Sequence, residues 1–277
     1  MRRFLRELVI RAARLLLGRS YFFRVSEALS LAARSEGENI AESNGERLLQ
    51  RITAGGVPQT EELTAIDVGA NVGAWTEAMH RLRGDGLLRI YAFEPAPAIA
   101  AILDQAVAAL RGRAVVVRAA ASDSDGTTTF FFRADNPLLS SIADFGHAAA
   151  APIAVPTVRL DTFAARERIE RIHLLKVDAE GYDMAVLRGA SQLLASKRID
   201  VIQFEYNFRW IYSRHFLRDA FELLEPHGYR VGKLTRDGVE FYQRWQPLME
   251  SFHEANFVAC LPEWCARLNP RTPPWPE

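Results

Sequence analysis

The stretch Asp67-x-Gly69-x-Asn71-x-Gly73 holds the sequence's densest group of chemically telling residues. It follows an apolar run, Leu63 to Val68, and opens onto a helical pattern from Trp75 to Arg83. Glycines placed there let the backbone turn tightly and let a ligand lie against it without a Cβ in the way. The spacing comes close to the dinucleotide loop G-x-G-x-x-G. Asn71, however, stands at the middle glycine, where a pyrophosphate needs the closest approach. Asp67 is also a poor neighbour for phosphate, because two anions repel; it suits a cationic ligand, directly or through water. Glu94 ends the next predicted strand, and a carboxylate at that place can accept both hydroxyls of a ribose. Ser122-Asp123, after the third strand, can accept from an adenine amino group. An ordinary tight turn would explain Gly69 and Gly73 alone, but not acids at successive strand ends. An adenosine ligand with a positive centre and no phosphate describes S-adenosyl-L-methionine.

Methyl transfer from such a ligand needs an in-line approach of the acceptor oxygen and removal of its proton. Asp178, Glu180 and Glu205, at the ends of the fourth and fifth predicted strands, are the catalytic candidates. A carboxylate in a dry cleft has its pKa raised toward that of a useful base. Asp178 and Glu205 on adjacent strand ends can instead hold Mg²⁺, which would acidify a bound hydroxyl. Glu180-Gly181 also reads as a plain helix entry, where an acid favours the dipole. Lys176 reads as a structural residue or an ion-pair partner of a site carboxylate. His215 and His253 are alternative bases, each more simply a packing or surface residue. Trp210, Tyr212 and His215 can line an acceptor cleft, and Arg209 and Arg214 can meet an anionic acceptor.

The elements that must position these residues alternate. Predicted strands at 63–68, 88–93, 114–117, 172–178 and 201–205 interleave with helices at 75–83, 98–110, 184–195 and 216–224. This pitch implies βαβ units, a doubly wound and mainly parallel Rossmann-like sheet, and helices on both faces. Residues 229–234 and 256–261 look like closing strands, an antiparallel pair at the sheet edge. Asp125-Gly126 is a hairpin-grade turn before an inserted antiparallel strand at 127–132. Residues 54–58, 136–141 and 148–151, with Pro152 and Pro156, read as loop. Residues 25–49 read as helix interrupted near Gly37 and Gly45.

With 277 residues, 49% apolar and 25% charged, the chain is an ordinary globular one. Lys+Arg and Asp+Glu both total 34, which removes a global electrostatic case for nucleic-acid binding. Few lysines beside many arginines and alanines suggest a GC-rich bacterial gene. Cys260 and Cys265 complete neither a zinc site nor a disulfide framework, and a reducing, cytoplasmic setting is the simplest reading. Residues 1–20 form a basic opening. Phe4, Leu5, Leu8, Ala12, Leu15 and Leu16 recur at helical spacing, with arginines on the other faces. Three readings stand for it: a helix packed on the domain, peripheral contact with the inner membrane face, or an import peptide.

Ile66-Asp67-Val68-Gly69-Ala70-Asn71-Val72-Gly73, followed by Phe93-Glu94-Pro95, resembles the class I S-adenosylmethionine-dependent methyltransferases. Ala121-Ser122-Asp123 with Gly126, Ser140-Ser141, Leu160-Asp161, and Leu175-Lys176-Val177-Asp178-Ala179-Glu180-Gly181 with Val186-Leu187-x-Gly189 resemble its FkbM family, as do Gly228-Tyr229 and Asn256. The resemblance covers about residues 60–262. It implies O-methylation of a hydroxyl on a sugar, glycan or secondary metabolite such as a polyketide. It places Asp67, Gly69, Ala70, Asn71 and Gly73 on the methionine part, Glu94 and Pro95 at the ribose, Ser122 and Asp123 at the adenine, and Asp178 beside the cofactor. Metal-dependent catechol-type methyltransferases carry a lysine where this chain has Gly181, which favours metal-free chemistry. The alternatives are a nicotinamide oxidoreductase on a similar fold and a non-catalytic cofactor-binding module. The expected division is a helical extension over 1–55, a methyltransferase domain over 56–265 and a tail over 266–277.

Overall fold

The computed structural model describes residues 2–37, 40–133, 140–142 and 151–274. The chain divides into two compact units, Met1–Glu38 and Asn39–Glu277. In the first, α1 (Arg2–Leu17) is the basic helix expected over 1–20, and α2 (Arg19–Arg34) is the helix expected from residue 25, begun six residues earlier. They part at Gly18, whose φ of 69° lies where only glycine sits without steric penalty. Among the described residues no helix is long and apolar enough to cross a membrane.

The second unit begins with α3 (Glu46–Gly56), which continues through the residues expected to loop at 54–56. Then β1 (Leu63–Val68), α4 (Ala74–Arg83), β2 (Leu88–Phe93), α5 (Pro97–Ala108) and β3 (Ala114–Val117) follow the predicted alternation. Three strands of a smaller sheet come next, β4 (Ala120–Ser122), β5 (Gly126–Phe132) and β6 (Ala151–Arg159). The chain returns through α6 (Leu160–Arg166), β7 (Ile172–Val177), α7 (Asp183–Arg188), α8 (Ser191–Ala195) and β8 (Ile199–Tyr206). It closes with α9 (Leu217–Leu224), β9 (Arg230–Thr235), β10 (Gly238–Phe241), β11 (Ala255–Cys260), α10 (Pro262–Cys265) and β12 (Pro270–Arg271).

The main sheet runs β12-β10-β9-β11-β8-β7-β1-β2-β3. From β8 to β3 every pairing is parallel, and β11 enters antiparallel between β8 and β9. All residues of β1, β7 and β8 are buried, as a sheet covered by helices on both faces demands. Side chains alternate between two cores: Ile66 and Val68 enter one, Leu63 and Ala65 the other. Strand order advances from β1 to β3 on one side and from β7 to β8 on the other. The reversal between β1 and β7 opens a crevice at their carboxyl ends.

Several expectations need correction. Residues 151–156 are strand, not loop: β6 pairs with β5 along Gly126–Phe132, while β4 pairs only from Thr157 onward. Among the described residues one edge of the stretch holding Pro152 and Pro156 has no partner strand, and a residue without an N–H is tolerated there. The loop readings at 136–139 and 148–150 lie outside the described residues. The helix expected over 184–195 breaks at Gly189, where a Cβ would meet the Ser122 carbonyl oxygen at 1.9 Å. Helix α8 starts afresh because Asp161 accepts from Gln192 N and Leu193 N, both at 3.0 Å. The unit boundary falls at 38/39, so α3 belongs with the sheet. The C-terminal tail does too, since β12 pairs with β10 and Leu268 is buried.

Arg83, buried on α4, ties α3 to this body. Its guanidinium donates to the carbonyls of Ala54, Val57, Pro58, Glu61 and Leu87.

Candidate active site

A cavity of about 290 Å³ occupies the crevice where the sheet reverses. Its floor is the β1–α4 loop. Gly69 N and Ala70 N donate to Phe93 O, which fastens that loop to β2. Gly69 has φ 75°, and a Cβ on it would sit 2.0 Å from the Asp178 carbonyl oxygen. The missing side chain thus admits the neighbouring strand-end loop rather than a ligand, a correction to the sequence argument. Asn71, with φ 49°, is among the few non-glycine types that visit the left-handed region readily.

Behind the floor lies a buried charge network. Lys176 Nζ donates to Gly69 O at 3.2 Å and pairs with Asp178 Oδ2 at 3.2 Å and Asp67 Oδ1 at 3.4 Å. Burial alone would lower the lysine's pKa, but Asp178, Asp67 and Glu46 together hold it above the ordinary value. Asp67 Oδ2 accepts from Thr76 Oγ1 at 2.7 Å. Asp67 does not line the cavity; it orients the lysine and the glycine loop from behind.

Glu94 lines the cavity at the end of β2. Its Oε2 accepts from Asn71 N at 3.1 Å and its Oε1 from Ala96 N at 2.9 Å. Burial pushes its pKa up to about 7 against the pull of those two N–H groups. Each oxygen keeps lone-pair capacity for a further donor. Beyond it, Ala119, Ala120, Ala121 and Phe130 form an apolar wall. Ser122 and Asp123 stand outside it: β3 ends at Val117 as predicted, and the chain passes the cavity at Ala119–Ala121 before β4 carries it on.

On the opposite side, Asp178, Ala179 and Glu180 line the cavity. Glu180 has φ 52°, a strained backbone state for a non-glycine residue. The strain is held by Ser141 Oγ donating to Glu180 O at 2.8 Å, and by Asp183, which accepts from Ala179 N and Gly181 N. The Glu180 carboxylate lies 3.0 Å from Arg209 Nε. Burial first and Asp178 second raise its pKa well above the usual range, with Arg209 opposing. Burial and Asp178 likewise raise Asp183 to about 7. Glu205, taking a hydrogen bond from Asn207 Nδ2 at 2.6 Å, is raised by burial and by the surrounding acids.

Of the residues expected to act, the cavity gathers Gly69, Ala70, Asn71, Glu94, Pro95, Asp178 and Glu180. Asp67, Gly73 and Glu205 support it from behind, and Ser122 and Asp123 do not reach it. Among the described residues no group of three or more His, Cys, Asp or Glu side chains converges as a metal site. Trp210 is buried and donates Nε1 to Glu205 O, and His215 pairs with Asp219, so neither lines the cavity. Two lining residues had no sequence signal: Glu46 and Arg47, on the first turn of α3.

The lining residues Glu46, Glu94, Asp178 and Glu180 outnumber the lining cations Arg47 and Lys176. Such a wall fits a cationic nucleoside and disfavours a pyrophosphate, so this donor set suits S-adenosylmethionine.

The model of the methyltransferase FkbM domain matches residues 67–231. No curated protein matches the chain. Solved structures are similar in part. A methyltransferase FkbM from Methylobacillus flagellatus is 11% identical with a TM-score of 0.47, over 74% of this chain and 45% of that one. The present chain therefore spans less than half of that relative's length. A fibrillarin from Aeropyrum pernix, solved with natively bound S-adenosyl-L-methionine, is 16% identical with a TM-score of 0.41, over 77% and 74% of the two chains. A precorrin-6y C5,15-methyltransferase from Geobacter metallireducens is 13% identical with a TM-score of 0.40, over 77% and 88%.

Proposed function

The chain belongs to the FkbM methyltransferase family, and we propose that it transfers the methyl group of S-adenosylmethionine to a hydroxyl oxygen of a sugar, glycan or secondary metabolite. One observation carries this reading: an acid-rich cavity at the sheet's reversal, with Glu94 at its β2 end and, among the described residues, no cluster of cations to receive phosphates. When bound, the cofactor supplies an electrophilic methyl group on a sulfonium centre.

The chain's residues divide the remaining tasks. Glu94 offers its two oxygens to the ribose diol. The wall of Ala119, Ala120, Ala121 and Phe130 receives the adenine in place of Ser122 and Asp123. Lys176 holds Asp178 and the glycine loop in register. Glu180 takes the proton of the acceptor hydroxyl, its raised pKa bringing it nearer the value a base at neutral pH needs. Asp178 faces the same space and favours the positive charge there. Glu205 acts on that pair only from behind.

The acceptor enters on the side of Arg209. Next to it, Phe208 and Tyr212 are 51% and 53% exposed, flat apolar faces of the kind on which a sugar ring or an aglycone rests. No metal is assigned: Asp178 is engaged with Lys176, and Glu205 does not reach the cavity.

Calorimetry with S-adenosylhomocysteine and with NAD tests the cofactor. Binding of the first and not the second is expected, and the reverse overturns the reading. Transfer of isotope-labelled methyl to a pool of hydroxylated acceptors, lost in Glu180→Gln with cofactor affinity intact, tests the chemistry.

A further inference from the structure

Glu46 lies outside residues 67–231, the part matched by the family model, yet its carboxylate lines the cavity. The side chain is 13% exposed. Oε2 accepts from Gln203 Nε2 at 3.1 Å, and the same amide nitrogen donates to Asn256 Oδ1 at 3.0 Å. The carboxylate is therefore held in place from β8 and β11. Oε1 is different. Among the described residues it accepts no hydrogen bond, and the Arg47 guanidinium at 4.0 Å is hydrogen-bonded to Gln50 and pairs with the exposed Glu42 at 3.7 Å.

A half-satisfied carboxylate in an enclosed wall is costly unless something supplies a donor or a positive charge. The buried Lys176 acts on Glu46 through space, but its close contacts go to Asp67, Asp178 and Gly69 O. What faces the cavity is an anchored anion, Glu46, with a cation, Arg47, next to it in sequence and on the same wall, whose closer ion-pair partner is the exposed Glu42. That pair complements a zwitterion. An α-amino acid presents an ammonium and a carboxylate on one carbon, the same two charges in matching reach.

We propose that Glu46 Oε1 receives the α-ammonium of the cofactor's methionine part, with Arg47 placed for its α-carboxylate, so that α3 reads the amino-acid end of the ligand. This rests on the cofactor reading given above. It also gives α3 a binding task and explains why Arg83 clamps the carbonyls that follow this helix: the clamp fixes the distance from Glu46 to the sheet.

The test compares two ligands that share the adenosine and thioether but differ in the amino acid: S-adenosylhomocysteine and 5′-methylthioadenosine. Calorimetry is run on the full chain and on Glu46→Gln, which keeps the size and the partner of Gln203. The expected result is at least tenfold weaker S-adenosylhomocysteine binding, with methylthioadenosine changed less than twofold. Arg47→Met is the second variant and should show the same selectivity. Equal weakening of both ligands assigns Glu46 to shaping the pocket and overturns the proposal; no change in either does the same. A wild-type chain that binds neither ligand overturns the cofactor reading itself, and the proposal with it.

Discussion

Gly69→Ala separates two explanations of the glycine loop. If the glycine only makes room for ligand, the alanine variant folds normally and loses the cofactor. The structure says otherwise. The residue sits at φ 75°, and its Cβ would lie 2.0 Å from the Asp178 carbonyl oxygen. A left-handed alanine costs about 1–2 kcal/mol. A carbon–oxygen contact needs about 3.3 Å, so one strand-end loop must retreat by roughly 1.3 Å. That displacement of packed backbone adds about 1–3 kcal/mol. The retreat also pulls Asp178 away from Lys176, its partner at 3.2 Å. The sum is about 2–5 kcal/mol, or a fall in Tm of roughly 5–20 °C for a unit of this size. Thermal unfolding followed by circular dichroism without ligand measures it. An unchanged Tm together with lost S-adenosylhomocysteine binding would refute the loop-packing argument and restore the ligand-space one.

Three further outcomes are expected. Glu94 titrates at about 7 in the fold against an ordinary 4.5, so the unfolded chain loses that proton first and Glu94's contribution to stability declines as pH rises across this window. In the proposed role the ionised form accepts the ribose hydroxyls, so S-adenosylhomocysteine affinity should rise from about pH 6 to about pH 8, and a flat calorimetric profile would count against the role. Arg83→Met should lower stability by at least ~3 kcal/mol in urea unfolding, because buried carbonyls lose their only charged donor; a change under ~1 kcal/mol would show the clamp to be dispensable. On α1, Leu15 and Leu16 are 84% and 85% exposed beside arginines. We therefore expect the full chain to pellet with anionic vesicles and a chain starting at Tyr21 to stay in solution; equal pelleting would dismiss the membrane-surface reading.

The parallel half of the sheet was legible because its strands are buried on both faces and read as unbroken apolar runs. The same burial made the acids at their ends conspicuous, and Glu94, Asp178 and Glu180 do line the cavity. Ser122 and Asp123 fall outside the cavity lining even though the end of β3 at Val117 was legible: an unforeseen short strand, β4, carries the chain past the cavity after Ala121. Strand β6 was hidden by Pro152 and Pro156, whose tolerance depends on an unpaired edge that only the tertiary pairing reveals. Glu46 had no signal at all. An acid on the first turn of a helix is ordinary, and its meeting with Gln203 joins parts of the chain far apart in sequence. Local pattern locates strand ends; it does not say which distant helix supplies the last wall.

Under the O-methyl transfer proposed above, a cavity rich in carboxylates raises a problem that the proposed role of Glu180 resolves. Acids that hold a sulfonium stabilise the charged reactant, and that charge is discharged as the methyl leaves. Favouring the reactant alone lowers no barrier, since only interactions stronger in the transition state accelerate the step. The compensation must come from the acceptor, whose oxygen gains positive character as it takes the methyl and sheds a proton. Asp178 raises the pKa of Glu180, Asp183 and Glu205, and so keeps proton affinity high among the carboxyls around it. Of these, Glu180 alone lines the cavity, on a strained backbone held by Ser141 and Asp183. The wall that attracts the cofactor's charge thus also contains the group best placed to receive the acceptor's proton. Loss of the charge on transfer then weakens the hold on the neutral product, which favours its release.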